Sequence, residues 1–133
     1  MVILTKLPTK KLNKKGVKMK KIEKLLVISN HPPDKWSDDQ KQGWDVIDYI
    51  PFPDITASLS KDAVIDLADD LICQIAQDFP EHTVTIQGEY SLTCSVISRL
   101  SNAGREPIFP TTERVVEEKD GVKTSTFKFV QWR

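Results

Sequence analysis

Three short polar stretches carry the side chains able to do chemistry: Ser29-Asn30-His31-Pro32-Pro33-Asp34-Lys35-Trp36, Gln87-Gly88-Glu89-Tyr90-Ser91-Leu92-Thr93, and Thr111-Thr112-Glu113-Arg114. His31 suits general acid/base work, since an unperturbed imidazole titrates near neutrality. Set between Asn30 and Pro32, it can equally cap a strand end by hydrogen bonding. Lys35 and Arg114 offer cations for phosphate oxygens, Arg114 with a matching planar fork. Glu113, Glu117 and Glu118 are close enough in sequence to occupy either cation. Gly88 lets a backbone be approached closely, and a helix opening just after it presents free N–H groups and a positive dipole end, a seat for phosphate. Ser91 and Thr93 add hydroxyls there. The plainer reading is that Ser91 caps the helix and Gly88 only makes the turn. Glu89 can accept a hydrogen bond from a ribose hydroxyl or a base amino group, or pair with a cation. Trp36 can stack on a base, or staple a helix to the core.

Other chemistries lack their signatures. Neither a Walker loop nor a full GxGxxG is present, which disfavours a conventional ATPase or dinucleotide enzyme. Glu89 and Glu113 fall at different strand ends with no histidine or aspartate set beside them, so no metal pair is assembled. With only two histidines and two cysteines in the chain, a Cys/His cage is not expected either. Cys73 and Cys94 read as small buried hydrophobes of an intracellular protein. The sequence therefore implies no metal and no cofactor.

Alternating strand-like and helix-like segments must position these stretches. Residues 22–29 contain the apolar run Leu25-Leu26-Val27-Ile28, suited to a strand covered on both faces. Pro32 and Pro33 end it. Ser37-Asp38-Asp39-Gln40 is a capping-box pattern and opens a short helix toward Gly43. Residues 46–50 form a second strand closed by Pro51-Phe52-Pro53. Ser60 caps a longer helix over 61–78, where Val64, Leu67, Ala68, Leu71, Ile72, Ile75 and Phe79 follow the 3.6-residue period. Residues 83–87 are a β-branched third strand, 91–102 a helix stopped by Gly104, and 107–109 a fourth strand broken by Pro110. Beyond it, Asp120-Gly121 between two β-rich arms signals a hairpin. The order predicts an α/β domain with a mainly parallel sheet, helices on both faces and a C-terminal β-hairpin. Ligands of such sheets lie beyond the carboxyl ends of the strands.

At 133 residues, 39% hydrophobic and 29% charged, the chain has the size and composition of one soluble domain. Its longest aliphatic run, 25–28, is far short of the roughly 20 residues of a membrane span, and no apolar segment follows the first lysines as a secretory signal would. A cytoplasmic location, with no membrane partner, is expected. The net charge of zero hides an asymmetry: residues 1–24 hold nine lysines and one glutamate, and the remainder ten basic and eighteen acidic side chains. The basic arm is either a nucleic-acid tail or a solvated leader, and the second reading is preferred, with residues 1–21 outside the fold, Met19 available as a start, and residues 22–133 forming the domain. The acidic body argues against broad binding to duplex nucleic acid.

Taken together, Leu26-Val27-Ile28-Ser29-Asn30-His31-Pro32, Trp36-Ser37-Asp38-Asp39-Gln40, Ile50-Pro51-Phe52-Pro53, Gln87-Gly88-Glu89-Tyr90-Ser91-Leu92-Thr93 and Thr111-Thr112-Glu113-Arg114-Val115-Val116-Glu117-Glu118 resemble a family of small stand-alone CRISPR-associated proteins. Those proteins are similar to the CARF domain, a Rossmann-like sensor of cyclic oligoadenylate messengers in type III CRISPR defence. The resemblance covers residues 22–133. It implies a homodimer that binds a cyclic oligoadenylate in a shared groove. It also implies a ring nuclease, in which a ribose 2′-hydroxyl attacks its own phosphate without a metal, cyclic tetra-adenylate being the expected ring. Under this reading His31, Arg114 and Glu89 are the catalytic candidates, and Ser29, Asn30, Lys35, Trp36, Gln87, Gly88, Ser91, Thr93, Thr111 and Thr112 the ligand contacts. The alternative is a non-catalytic sensor or sponge for the same messenger. A third reading is a mononucleotide enzyme using Glu89 as nucleophile or base.

Overall fold

The computed structural model of the chain describes residues 20–133. Of the leader expected over residues 1–21, residues 1–19 therefore lie outside the described residues. Elements follow in the order β1 (Lys24–Ser29), a 3₁₀ turn (Pro33–Lys35), α1 (Asp38–Lys41), β2 (Val46–Pro51), α2 (Lys61–Asp78), β3 (Thr83–Gln87), α3 (Tyr90–Asn102), β4 (Pro110–Lys119) and β5 (Val122–Trp132). The fold is α/β: a three-stranded parallel sheet in the order β2-β1-β3, with flanking helices and a separate antiparallel hairpin β4-β5.

Local chemistry accounts for most boundaries. Ser37 Oγ accepts from the Gln40 N–H and Ser60 Oγ from the Ala63 N–H, so both helices begin where a hydroxyl satisfies a free backbone donor. α3 ends in a Schellman arrangement: Arg105 N–H donates to Leu100 O and Gly104 N–H to Ser101 O, with Gly104 at φ +76°. The hairpin turns through Asp120 and Gly121 at φ +54° and +78°, the left-handed pair that matches strand twist.

β1 is the centre of the molecule. Leu26 and Ile28 join Val84 and Ile86 of β3 in one apolar cluster with Val64, Ala68, Leu71 and Ile75 of α2 and Leu92, Val96 and Leu100 of α3. These are the periodic apolar positions of the two helices, and α2 and α3 pack together on this face. Leu25 and Val27 alternate to the other face and are just as buried.

Two expectations are corrected. Residues 107–109 are not a fourth strand of the sheet. Pro107 and Pro110 have no N–H to give, and the segment makes one bond to β3, from Ile108 N–H to Val84 O at 3.0 Å, before Phe109 pairs with Arg133 at the base of the hairpin. Cys73 and Cys94 are exposed rather than buried, each on the outward side of its helix.

The hairpin is tied down at its base by all three tryptophans. The Trp132 ring lies 5.6 Å from Trp36, 6.2 Å from Trp44 and 5.6 Å from Phe129, and its Nε1–H donates to Gln40 O of α1 at 3.2 Å. Farther out the hairpin is exposed, Phe127 at 71%. Trp132→Ala is expected to cost roughly 2–3 kcal/mol, less than a fully buried aromatic because the ring is half-buried. Hydrogen exchange should show protection lost from residues 110–132 and α1 but kept at Leu26 and Ile86; uniform loss would contradict this anchoring role.

Candidate functional site

Chain order and strand order together locate the site. β1 is followed by β2 on one side and then by β3 on the other. The crossovers therefore diverge at the carboxyl ends of β1 and β3, where open α/β sheets take ligands. A cleft lies at that point. Its floor is a two-by-two patch of side chains: Val27 and Ser29 of β1, in register with Thr85 and Gln87 of β3. Strand alternation places these four on one face, opposite the α2–α3 core. His31 and Trp36, from the segment after β1, and Pro110, at the start of β4, form the walls. The cleft is partly open to solvent and small, about 30 Å³, with room for at least a water-sized group.

Ser29 is 5% exposed and organises the mouth. Its Oγ accepts from the His31 N–H at 3.1 Å, and its carbonyl accepts from Tyr49 Oη–H at 2.7 Å and from the Phe52 N–H at 3.1 Å. These bonds fix the chain where it leaves the sheet and hold exposed His31 at the edge of the cleft. The other histidine, His82, is at the far end of β3, with Nε2 2.7 Å from Asp48 Oδ2.

The structure brings together Ser29, His31, Trp36 and Gln87 among the residues expected from sequence. Asn30 and Lys35 are exposed on the same connecting segment, without lining the cleft. Trp36 is half-buried and packs on Trp132, so it staples the hairpin as well as walling the cleft.

The second stretch is built differently from the expectation. The helix cap is Glu89, not Ser91: its carboxylate accepts from the Ser91 N–H at 2.9 Å, the Leu92 N–H at 3.0 Å and the Ser91 hydroxyl at 2.6–2.7 Å. Of the amides around the start of α3, where a phosphate seat is expected, those of Ser91 and Leu92 are thus occupied by the chain's own carboxylate. Gly88 serves packing, since a Cβ there would sit 2.4 Å from the Phe52 ring. Thr93 lies one turn into α3, its N–H bonded to Glu89 O, and it does not line the cleft.

The third stretch is not a strand end but the interior of β4. Thr111 Oγ1–H donates to Gln131 O at 2.9 Å, and Thr112 follows at a register shift in the hairpin. The Arg114 guanidinium donates to Ser125 Oγ across the hairpin, at 3.1 Å from Nε and 2.9 Å from Nη2. Neither Arg114 nor Glu89 is part of the cleft.

Thr85 and Pro110 are site residues absent from the sequence-based expectation. The available signal for Thr85 is its position two before Gln87 in a strand, which puts both on one face.

Residues 23–133 match the uncharacterized protein MJ1673 family. The chain belongs to that family. No curated protein and no solved structure matches it. The stretch matched to the MJ1673 family begins one residue before β1 and includes the cleft and the hairpin. Among the described residues no group of three or more His, Cys, Asp or Glu is gathered to hold a metal ion, and no described helix is long and apolar enough to cross a membrane.

The hydrogen bonds from Ser91, then those from the Leu92 and Ser91 amides, hold the Glu89 carboxyl below its ordinary value of 4.5. A carboxyl that titrates lower in the folded chain contributes stability that is complete above the unfolded value and is lost as pH falls through the folded one. Glu89→Gln should therefore be less stable than wild type in urea unfolding at pH 7, and the gap should close as the pH is lowered toward 3. A gap independent of pH would show that the cap does not depend on the charge.

Proposed function

We propose that the chain is a CARF-like domain that binds a cyclic oligoadenylate as a homodimer in the cytoplasm and opens the ring, which would end type III CRISPR signalling. The reading is carried by one observation: the cleft at the β1–β3 switch point has a polar floor and a histidine at its mouth. Its volume of about 30 Å³ admits one small group of a nucleotide, so a ring must lie across the mouth and be held by a second surface. A two-fold mate supplies such a surface and matches a symmetric ring.

With Glu89 engaged as a helix cap and Arg114 bonded to Ser125, proton transfer falls to His31. The 2′-oxygen forms a bond to its own phosphorus, the bond from phosphorus to the 5′-oxygen breaks, and the products are a 2′,3′-cyclic phosphate and a 5′-hydroxyl. His31 takes the proton of the 2′-hydroxyl and later returns it to solvent, and the leaving 5′-oxygen takes a proton from water, so the step leaves no net change in protons. Holding the attacking oxygen in line is the protein's main contribution. Tetra-adenylate is the first candidate ring, and duplex nucleic acid is not a partner. A second reading is favoured by a specific observation: among the described residues no Lys or Arg side chain lines the cleft to stabilise charge on the phosphate. Under it, the domain is a sensor or sponge that holds the ring intact.

Purified protein should be incubated with cyclic tetra- and hexa-adenylate, with and without EDTA, and the products read by mass spectrometry. Linear products ending in a 2′,3′-cyclic phosphate are expected despite EDTA, with His31→Ala slowing their formation about 100-fold or more while retaining the ring. Intact rings that co-elute with wild type would replace the nuclease by the sensor. Rings that neither bind nor open would overturn both.

A further inference from the structure

The floor of the cleft contains a polar group that the fold does not use. Thr85 is 3% exposed, and its Oγ1 makes no hydrogen bond among the described residues. Leaving a buried hydroxyl unpaired is unfavourable, and valine would fill the same volume in a strand beside Val27 without that cost. Thr93 Oγ1 and His82 Nδ1 are also buried without partners, but neither lines the cleft. Thr85 does.

We propose that the Thr85 hydroxyl is a ligand contact, and that the group it receives is an uncharged hydroxyl or amino group of a nucleoside rather than a phosphate oxygen. This rests on the reading of the cleft as a nucleotide site. Three observations set the chemistry of the group. The cleft is small, about 30 Å³, which suits one projecting hydroxyl or amino group. Among the described residues no Lys or Arg lines the cleft, so an oxyanion placed there would lose water without gaining a counter-charge from them. Around Thr85, Gln87 supplies an amide, and the Ser29 Oγ that accepts from His31 N–H keeps its own proton to donate. Together these make a neutral donor–acceptor set able to read a ribose or an adenine edge while the phosphates stay outside, near His31.

The test compares wild type, Thr85→Val and Thr85→Ser by calorimetric titration with cyclic tetra-adenylate and with adenosine, alongside their thermal midpoints. Thr85→Val is expected to unfold at or above the wild-type temperature and to bind both ligands about tenfold more weakly. Thr85→Ser, which keeps the hydroxyl, should bind within a few-fold of wild type. Adenosine bound in a Thr85-dependent way without any ring binding would uphold this contact while removing the ring reading. A ring bound equally by wild type and Thr85→Val would overturn the contact and leave the ring reading standing. A thermal midpoint lowered in Thr85→Val but not in Thr85→Ser would assign the hydroxyl a structural role and overturn the proposal. Binding of neither ligand to wild type would overturn both readings.

Discussion

The structure depends on burying a single strand from two sides. Along β1 five successive residues from Leu25 to Ser29 are buried, the four apolar ones at no more than 1% exposure. Such a strand has no face to spare for water, so the chain must supply two layers. The long amphipathic α2 and α3 provide one, over Leu26 and Ile28. Over Val27 the described residues offer little helix, since α1 is only four residues. There the segment carrying Trp36 and the base of the hairpin approach instead, joined through Trp132. The hairpin is therefore part of what completes the sheet as well as an appendage of it.

The cleft follows from where that second layer stops. One pair of residues toward the carboxyl ends of β1 and β3, Val27 and Thr85 give way to Ser29 and Gln87, and the covering segment ends in Trp36 on one side and Pro110 on the other. In the neighbouring loop the chain itself takes up space and two of the amides that open α3. Phe52 fills the space that a side chain at position 88 would take, and Glu89 folds back onto the amides that open α3. A helix N-terminus attracts anions, and here the nearest anion is the chain's own. The same physics that suggests phosphate binding explains why that end of α3 is satisfied without a ligand.

Patterns that depend on near neighbours are legible in the amino-acid sequence alone. The 3.6-residue period of α2, the β-branched run of β3, the caps at Ser37 and Ser60 and the turn at Asp120-Gly121 each rest on interactions within a few residues, and each element forms where its pattern lies. What is not legible depends on distant partners. Trp132 meets Gln40 across 92 positions, and no local pattern announces that pairing. The choice of Glu89 over Ser91 as cap turns on where α3 begins by two residues, at Tyr90 rather than Leu92. Pro107 and Pro110 divert a β-like segment from the sheet, because its edge bonding needs donors they lack. Of the candidate site, the segment after β1 and Gln87 are readable from their place at strand ends. Arg114 and the neighbouring threonines are not, since the register of the hairpin turns them toward Ser125 and Gln131.

Ligand entry at the β1–β3 switch point, and nowhere else, is the central claim. Amide chemical-shift mapping during titration with cyclic tetra-adenylate tests it most directly. The largest changes are predicted at Ser29, His31, Thr85 and Gln87, with β2 and the outer hairpin, residues 116–125, little affected. Changes concentrated at Ser91 and Leu92, or along the hairpin around Arg114, with the cleft amides unmoved, would contradict it.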